Sequence, residues 1–271
     1  MNTELEQKII KDLEKSGFST ELKVRRSLIN AGWSVNAGYG YFDKDEDKSR
    51  EIDIVATNVE NLRHGGKTYM HSEFHICGEI KKSEKPWVVF DQNTHPSLLS
   101  CAWSNLISVI NLPTSPTKMA QCLSEHSLIK LNGWLASGIH EAFKNPDQPS
   151  RWYSSFVSVS KASDYYLEHI APEGEKQTDD ILNNSCEVHF VQPLVVLNAP
   201  LFRAVMLDNG EIEITEIESA AFKFDYKSKN YENDSFRVDL VTLEGLERYI
   251  ESVKQRQKSF CKKIEKEAKL A

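Results

Sequence analysis

Long apolar runs, paired cysteines and an excess of positive charge are all missing from these 271 residues. The longest uncharged apolar stretch, near Leu98 to Leu112, is broken by Ser104, Asn105 and Ser108 and is too short to span a bilayer, so no membrane partner is expected. The five cysteines (Cys77, Cys101, Cys122, Cys186 and Cys261) are odd in number and widely spaced, with no C-x-x-C pair. That pattern excludes a disulfide scaffold or a zinc finger and reads as reduced thiols in a cytoplasmic protein. The opening MNTELEQKIIKDLEK carries charges every few residues and lacks an apolar centre, so no secretory leader is expected. Forty acidic residues against 33 basic ones leave a net charge of −7. The molecule as a whole is therefore no polycation that coats nucleic acid, and any nucleic-acid site must be local. Repeats and low-complexity linkers are absent too, which favours one α/β domain over two separable ones.

What is present is a clear alternation of periodicities. Leu5, Ile9, Ile10 and Leu13, then Leu22, Val24, Leu28 and Ile29 before Gly32, predict two amphipathic helices. Aromatic Tyr39 to Phe42, the acidic turn Asp43 to Lys48 and the run Arg50 to Ala56 predict a hairpin. Gly65-Gly66 marks another turn, after which Phe74 to Lys81 alternates as a half-buried strand does. Residues 97–111 and 117–143 read as helices and Ser155 to Val159 as a strand. From 187 the signal is β again (Glu187 to Leu197, Leu201 to Leu207, Glu211 to Ile217, Phe236 to Val241), closing in a charged helix from Leu243. A soft boundary at 171–185 divides a core, 1–170 with a helical insertion, from a C-terminal α/β extension, 171–271, packing on the same domain.

The chemistry concentrates on two of these strands. Period two places Ile52 and Ile54 on one face and Asp53 on the other, where Glu51 joins it; Ile76, Gly78 and Ile80 share one face, and Cys77, Glu79 and Lys81 the opposite one. If the strands are neighbours, the Asp53 and Glu79 carboxylates, the Lys81 ammonium and the Ile80 carbonyl meet at one sheet end. Such an oxygen-rich set suits Mg²⁺, which needs only one or two protein carboxylates and takes substrate phosphate for the rest, and Mn²⁺ can substitute. The plain alternative is a same-face Glu79–Lys81 surface ion pair worth ~0–1 kcal/mol.

Through Lys48-Ser-Arg-Glu-Ile-Asp53-Ile-Val-Ala and Cys77-Gly-Glu79-Ile-Lys81-Lys82, the chain resembles the PD-(D/E)xK nuclease superfamily, the restriction-endonuclease-like group. The match covers residues 1–90, with Ile52 standing where the motif's proline would be. The resemblance implies a mixed central sheet flanked by helices and a Mg²⁺-dependent endonuclease that hydrolyses phosphodiester bonds, in bacterial defence or DNA processing. It implies Asp53 and Glu79 as metal ligands with Ile80, Lys81 as catalytic lysine, and Glu21, on the second helix, as an outer metal or water contact. Arg50 is either a phosphate contact or a partner of the acidic run 43–47, and Lys82 and Lys85 are candidate phosphate contacts. The partner so implied is nucleic acid, DNA ahead of RNA, with a homodimer and an activating protein left open. The alternative is a catalytically silent version of the fold serving as a binding or assembly module.

Other signals are weaker. Gly66-Lys67-Thr68 ends like a phosphate-binding loop, but Asn61 occupies the position of its first glycine. Asp43, Asp45 and Asp47 open like a calcium loop, yet Lys48 replaces the glycine and Ile54 the closing glutamate. His71 and His75 lie four apart on a strand with no third ligand near in sequence, which reads against zinc. The closing helix carries eight basic and four acidic residues from Glu247 onward, a local +4 that reads as a solvated face or a phosphate-holding one. Trp152-Tyr153 and Tyr165-Tyr166 read as core ahead of base-stacking platforms.

Overall fold

Two alternating stretches, Arg50 to Ala56 and Phe74 to Lys81, lie in the strands at the centre of the fold. β1 (Ser34–Asp43), β2 (Lys48–His64) and β3 (Lys67–Lys82) form an antiparallel meander. β7 (Cys186–Asn198) lies parallel beside β3 over the whole length from Met70↔Cys186 to Lys82↔Asn198. The second edge of β7 is shared: β5 (Ile107–Ile110) takes Glu187 to Phe190, and β11 (Ser235–Thr242) takes Leu194 to Leu197. Pro193, which has no N–H to donate, sits where one partner stops and the other starts. β10 (Ser219–Asp225) closes this seven-stranded mixed sheet antiparallel to β11. A second sheet has the order β6-β4-β8-β9, from Gly138–Glu141, Trp87–Asp91, Leu201–Met206 and Ile212–Ile217. This computed structural model describes residues 3–64, 67–91, 106–110, 115, 117–119, 122, 135–145, 147–170 and 186–269.

Helices cover both faces of the large sheet. α2 (Phe18–Asn30) and α4 (Leu246–Lys269) bury Val24, Leu28, Val253, Phe260 and Ile264 with Ile54, Ile76, Ile80 and Val196. α3 (Arg151–Ile170) buries Phe156, Val159 and Ala162 on the other face with Val55, Cys77, Val195 and Val238. α1 (Thr3–Ser16) is amphipathic as predicted but buries none of its residues. At ~25 cal/mol per Å² of apolar area, each fully buried aliphatic side chain here contributes about 1.5–3 kcal/mol.

Three local expectations are corrected. Ser155 to Val159 lies inside α3, because its small residues Ser155, Ser160, Ala162 and Ser163 let a helix approach the sheet closely; the apparent β alternation reflects that small-large pattern. The described parts of the two expected middle helices include β5 and β6, although residues 117–119 and Cys122 are helical; residues 97–105, 111, 120–121 and 123–134 lie outside the described residues, as do Gly65-Gly66, Cys101 and the 171–185 boundary. Ile52 and Ile54 do not share a face: Ile52 packs with Tyr41, Val55 and Cys77, and Ile54 with Val24, Leu28 and Trp33. β2 separates from β3 after Ile54↔Gly78 while staying paired to β1, and Gly38, opposite Asp53, has φ +64°. The left-handed glycine permits the sharp twist that ends strict alternation at Asp53.

Gly78 is a point of close packing between β3 and β2. A Cβ there would lie 2.7 Å from Ile54 Cγ2, a branched side chain with little rotamer freedom. Gly78→Ala is expected to cost about 1–3 kcal/mol by overpacking, read as a lowered midpoint in chemical unfolding. An unchanged midpoint would contradict the close approach.

Candidate active site

The point where β2 leaves β3 is also where the acidic groups collect. Asp53 has no partner left in the ladder, and its Oδ2 accepts the Ile80 N–H at 2.6 Å. Two residues along, the Lys81 ammonium donates to Glu79 Oε2, as the shared face of β3 requires. Glu79 is 7% exposed, whereas the Lys81 side chain stays one-third exposed. Glu21 arrives from α2, whose start at Gly17 (φ +93°) turns the chain from α1, and pairs with Arg25 at 3.1 Å one helical turn on.

These groups feel one another's charge. Burial pushes the Glu79 carboxyl up, Lys81 pulls it down, and the Asp53 carboxylate pushes it up again. Burial also raises Glu21, then Asp53 raises it, Arg25 lowers it, Glu51 raises it and Lys81 lowers it. The Asp53 charge that raises both Glu21 and Glu79 is a repulsion that a nearby cation relieves. Asp53, Glu79 and Glu21 offer the oxygen donors a hard divalent ion prefers, but among the described residues their ligand atoms do not all come within 4.8 Å of one another. Each of the first two already engages a protein donor, Asp53 the Ile80 N–H and Glu79 the Lys81 ammonium.

Glu21 and Ile80 also line a cleft of about 610 Å³ whose remaining wall is largely cationic: Lys15, Lys82, Lys85, Lys144 and Arg151, beside Glu84 and Glu141. Lys82 reaches the Glu14 carbonyl at 2.5 Å and Lys85 the Phe143 carbonyl. The Glu141 carboxylate accepts the Arg151 and Trp152 N–H groups at 2.6 and 3.3 Å, so β6 caps the N-terminus of α3 at the cleft wall. Lys15 is remote in sequence from Lys144 and Arg151, which stand just after β6 and at the start of α3, so no local window brings the three together.

Other candidates lie elsewhere. Arg50 pairs with Asp43 at 3.1 Å and Glu46 at 2.5 Å, the second of its two expected roles. Asp43, Asp45 and Lys161 form an ion cluster, with Asp43 and Lys161 buried and Asp45 towards solvent, rather than a calcium loop. On α4, Lys254 caps the Ala31 carbonyl at 2.7 Å, Lys258 lies 3.8 Å from Glu60, and a polar residue of the inner face, Gln257, bonds to Asn58 and Ser72. Trp152, Tyr165 and Tyr166 pack on the core beneath α3. Cys77, Cys122, Cys186 and Cys261 are free and buried, and burial lifts the Cys77 thiol to about 12, which makes it a poor nucleophile at neutral pH. Among the described residues no helix is long and apolar enough to cross a membrane. Comparison with family models, curated proteins and solved structures found no match to this chain.

Proposed function

We propose that the chain is a Mg²⁺-dependent endonuclease of the restriction-endonuclease-like kind, hydrolysing phosphodiester bonds of DNA. The observation that carries the reading is the junction of the Asp53, Glu79, Lys81 and Glu21 group with a cation-lined cleft, through Glu21 and Ile80. The mixed sheet with helices on both faces agrees with the resemblance. Asp53, Glu79 and the Ile80 backbone would hold Mg²⁺ or Mn²⁺, with Glu21 as an outer contact. The bound ion supplies Lewis-acid polarisation of a phosphoryl oxygen and a water of lowered pKa. Lys81 places positive charge beside Glu79, where charge develops on phosphorus as water adds and the ester oxygen leaves. Lys82, Lys85, Lys144 and Arg151 hold flanking phosphates.

The test is cleavage of supercoiled plasmid, single-stranded DNA and RNA with Mg²⁺ or Mn²⁺, wild type beside Lys81→Ala. Metal-dependent cutting lost in the variant supports the reading and names the substrate. Silence from the folded wild type on every substrate favours the second reading, a binding or assembly module. That reading draws on the bonds from Ile80 N–H and Lys81, which satisfy both carboxylates from within the chain.

The cleft makes its own prediction. Lys82→Ala with Lys85→Ala is expected to weaken DNA binding uniformly across sequences and to flatten the plot of log affinity against log salt by about 2 units. Titrations at several salt concentrations measure that slope, and an unchanged slope removes both lysines from the interface.

A further inference from the structure

Beyond the acidic end, the same face of β3 carries His71, Glu73 and His75, and β7 brings His189 directly opposite Glu73. Among the described residues, Glu73, His75 and His189 are the group of His, Cys or carboxylate donors whose ligand atoms all lie within 4.8 Å of one another. His75 Nε2 is 3.2 Å and His189 Nδ1 3.5 Å from Glu73 Oε2. Ligands on a tetrahedral ion with bonds of about 2.0–2.1 Å stand about 3.3 Å apart, so two edges of such a site are already at length.

The buried nitrogens need explaining. His75 is 2% exposed and His189 7%, and neither His75 Nε2 nor either ring nitrogen of His189 has a hydrogen-bond partner. His75 Nδ1 lies 2.9 Å from Thr57 Oγ1 and 3.3 Å from Tyr166 Oη, contacts that hold the ring with Nε2 towards Glu73. His71 donates to Asn61 Oδ1 at 2.7 Å and to Glu73 Oε1 at 2.9 Å, gripping the carboxylate oxygen that faces away from His75.

We propose that Glu73, His75 and His189 bind one Zn²⁺ ion, with Thr57 and His71 orienting the ligands and water at the fourth position. Two imidazoles and a carboxylate are borderline donors suited to Zn²⁺ rather than Mg²⁺. Six residues of strand, about 20 Å, separate Glu73 from Glu79, so this site is distinct from the acidic one. The ion would clasp β3 to β7, and nothing in the proposal depends on nuclease activity.

The full chain, stripped of metal and titrated with Zn²⁺ and then Co²⁺, tests this. Wild type is expected to bind one Zn²⁺ per chain and to show the visible Co²⁺ bands of a four-coordinate nitrogen–oxygen site. His189→Gln is expected to lose both, and Thr57→Val to bind Zn²⁺ about 10–100-fold more weakly. The Asp53→Asn/Glu79→Gln double variant keeps the site. Circular dichroism checks each fold, and if His189→Gln does not fold, Thr57→Val carries the test. Absence of Zn²⁺ uptake by wild type, wild-type affinity in the folded variants, or uptake lost in the double variant overturns the proposal.

Discussion

Lys81→Ala is expected to lower metal-dependent phosphodiester cleavage by about 10²–10³-fold with the fold intact, the usual consequence of removing one preorganised charge from a reacting centre. Asp53→Ala and Glu79→Ala are expected to reduce it to background, because each removes a carboxylate from a set of few ligands. Plasmid nicking timed against circular dichroism reads both; retained cutting in all three variants would overturn the site. The electrostatics add a pH signature. Burial raises the Glu79 and Glu21 carboxyls, and Asp53 adds to both shifts, so a proton on either stabilises the fold and that stabilisation is lost as pH rises through the raised pKa. A divalent ion replaces the proton, so Mg²⁺ is expected to raise the melting temperature more at pH 8 than at pH 5. A Mg²⁺ shift that is equal at the two pH values would show that these carboxylates do not take the ion.

The second large effect is structural. Lys161→Met is expected to cost about 3–5 kcal/mol, because the Lys161 ammonium lies 2.8 Å from Asp43 and 3.0 Å from Asp45, with Lys161 and Asp43 side chains 5% and 2% exposed. Removing the cation leaves Asp43 with Arg50 as its remaining ion pair in a dry setting. Burial lowers the Lys161 pKa, but hydrogen bonds to Asp43, Asp45 and Tyr226 outweigh it and the net shift is upward. Asp45 is pushed up by burial and pulled down further by Ser228, Tyr226, Lys161 and Asn230, ending well below the carboxylate range. Its stabilisation is therefore complete above the ordinary carboxylate pKa and withdrawn as acid approaches the depressed one. At about 2–4 °C per kcal/mol for a chain of 150–250 residues, or slightly less here, thermal unfolding should fall by some 6–20 °C. A fall under about 2 °C would show the pair to be solvated.

Strand content was legible where alternation and turn residues agreed. Phe74 to Lys81 has an apolar face of Ile76, Gly78 and Ile80 and an ionic one of Glu79 and Lys81, and both faces lie as expected. The rest depended on partners that a local window does not contain. Asp53 ends β2's pairing with β3, a twist visible only once Gly38 stands opposite it. Ser155 to Val159 alternates small and large residues, so helix and strand templates compete there, and burial against the sheet decides for the helix. β4 and β10 are runs of five and seven residues, too short for their alternation to stand out. Glu73 and His75 find His189 beside them only through the β3–β7 register, which no spacing of residues along the chain contains.

The parallel pairing of β3 with β7 also sets an order of events. β1, β2 and β3 follow one another closely in the chain, whereas β7 is separated from β3 by residues 83–185, so the meander is expected to pair first and β7 to dock later. Asp53, Glu79 and Lys81 all sit on the early meander, while His189 rides on the late strand. A contact made only after the rate-limiting step leaves the folding rate alone and slows unfolding. Anything that ties β7 to β3 therefore lengthens the lifetime of the folded molecule without hastening its birth.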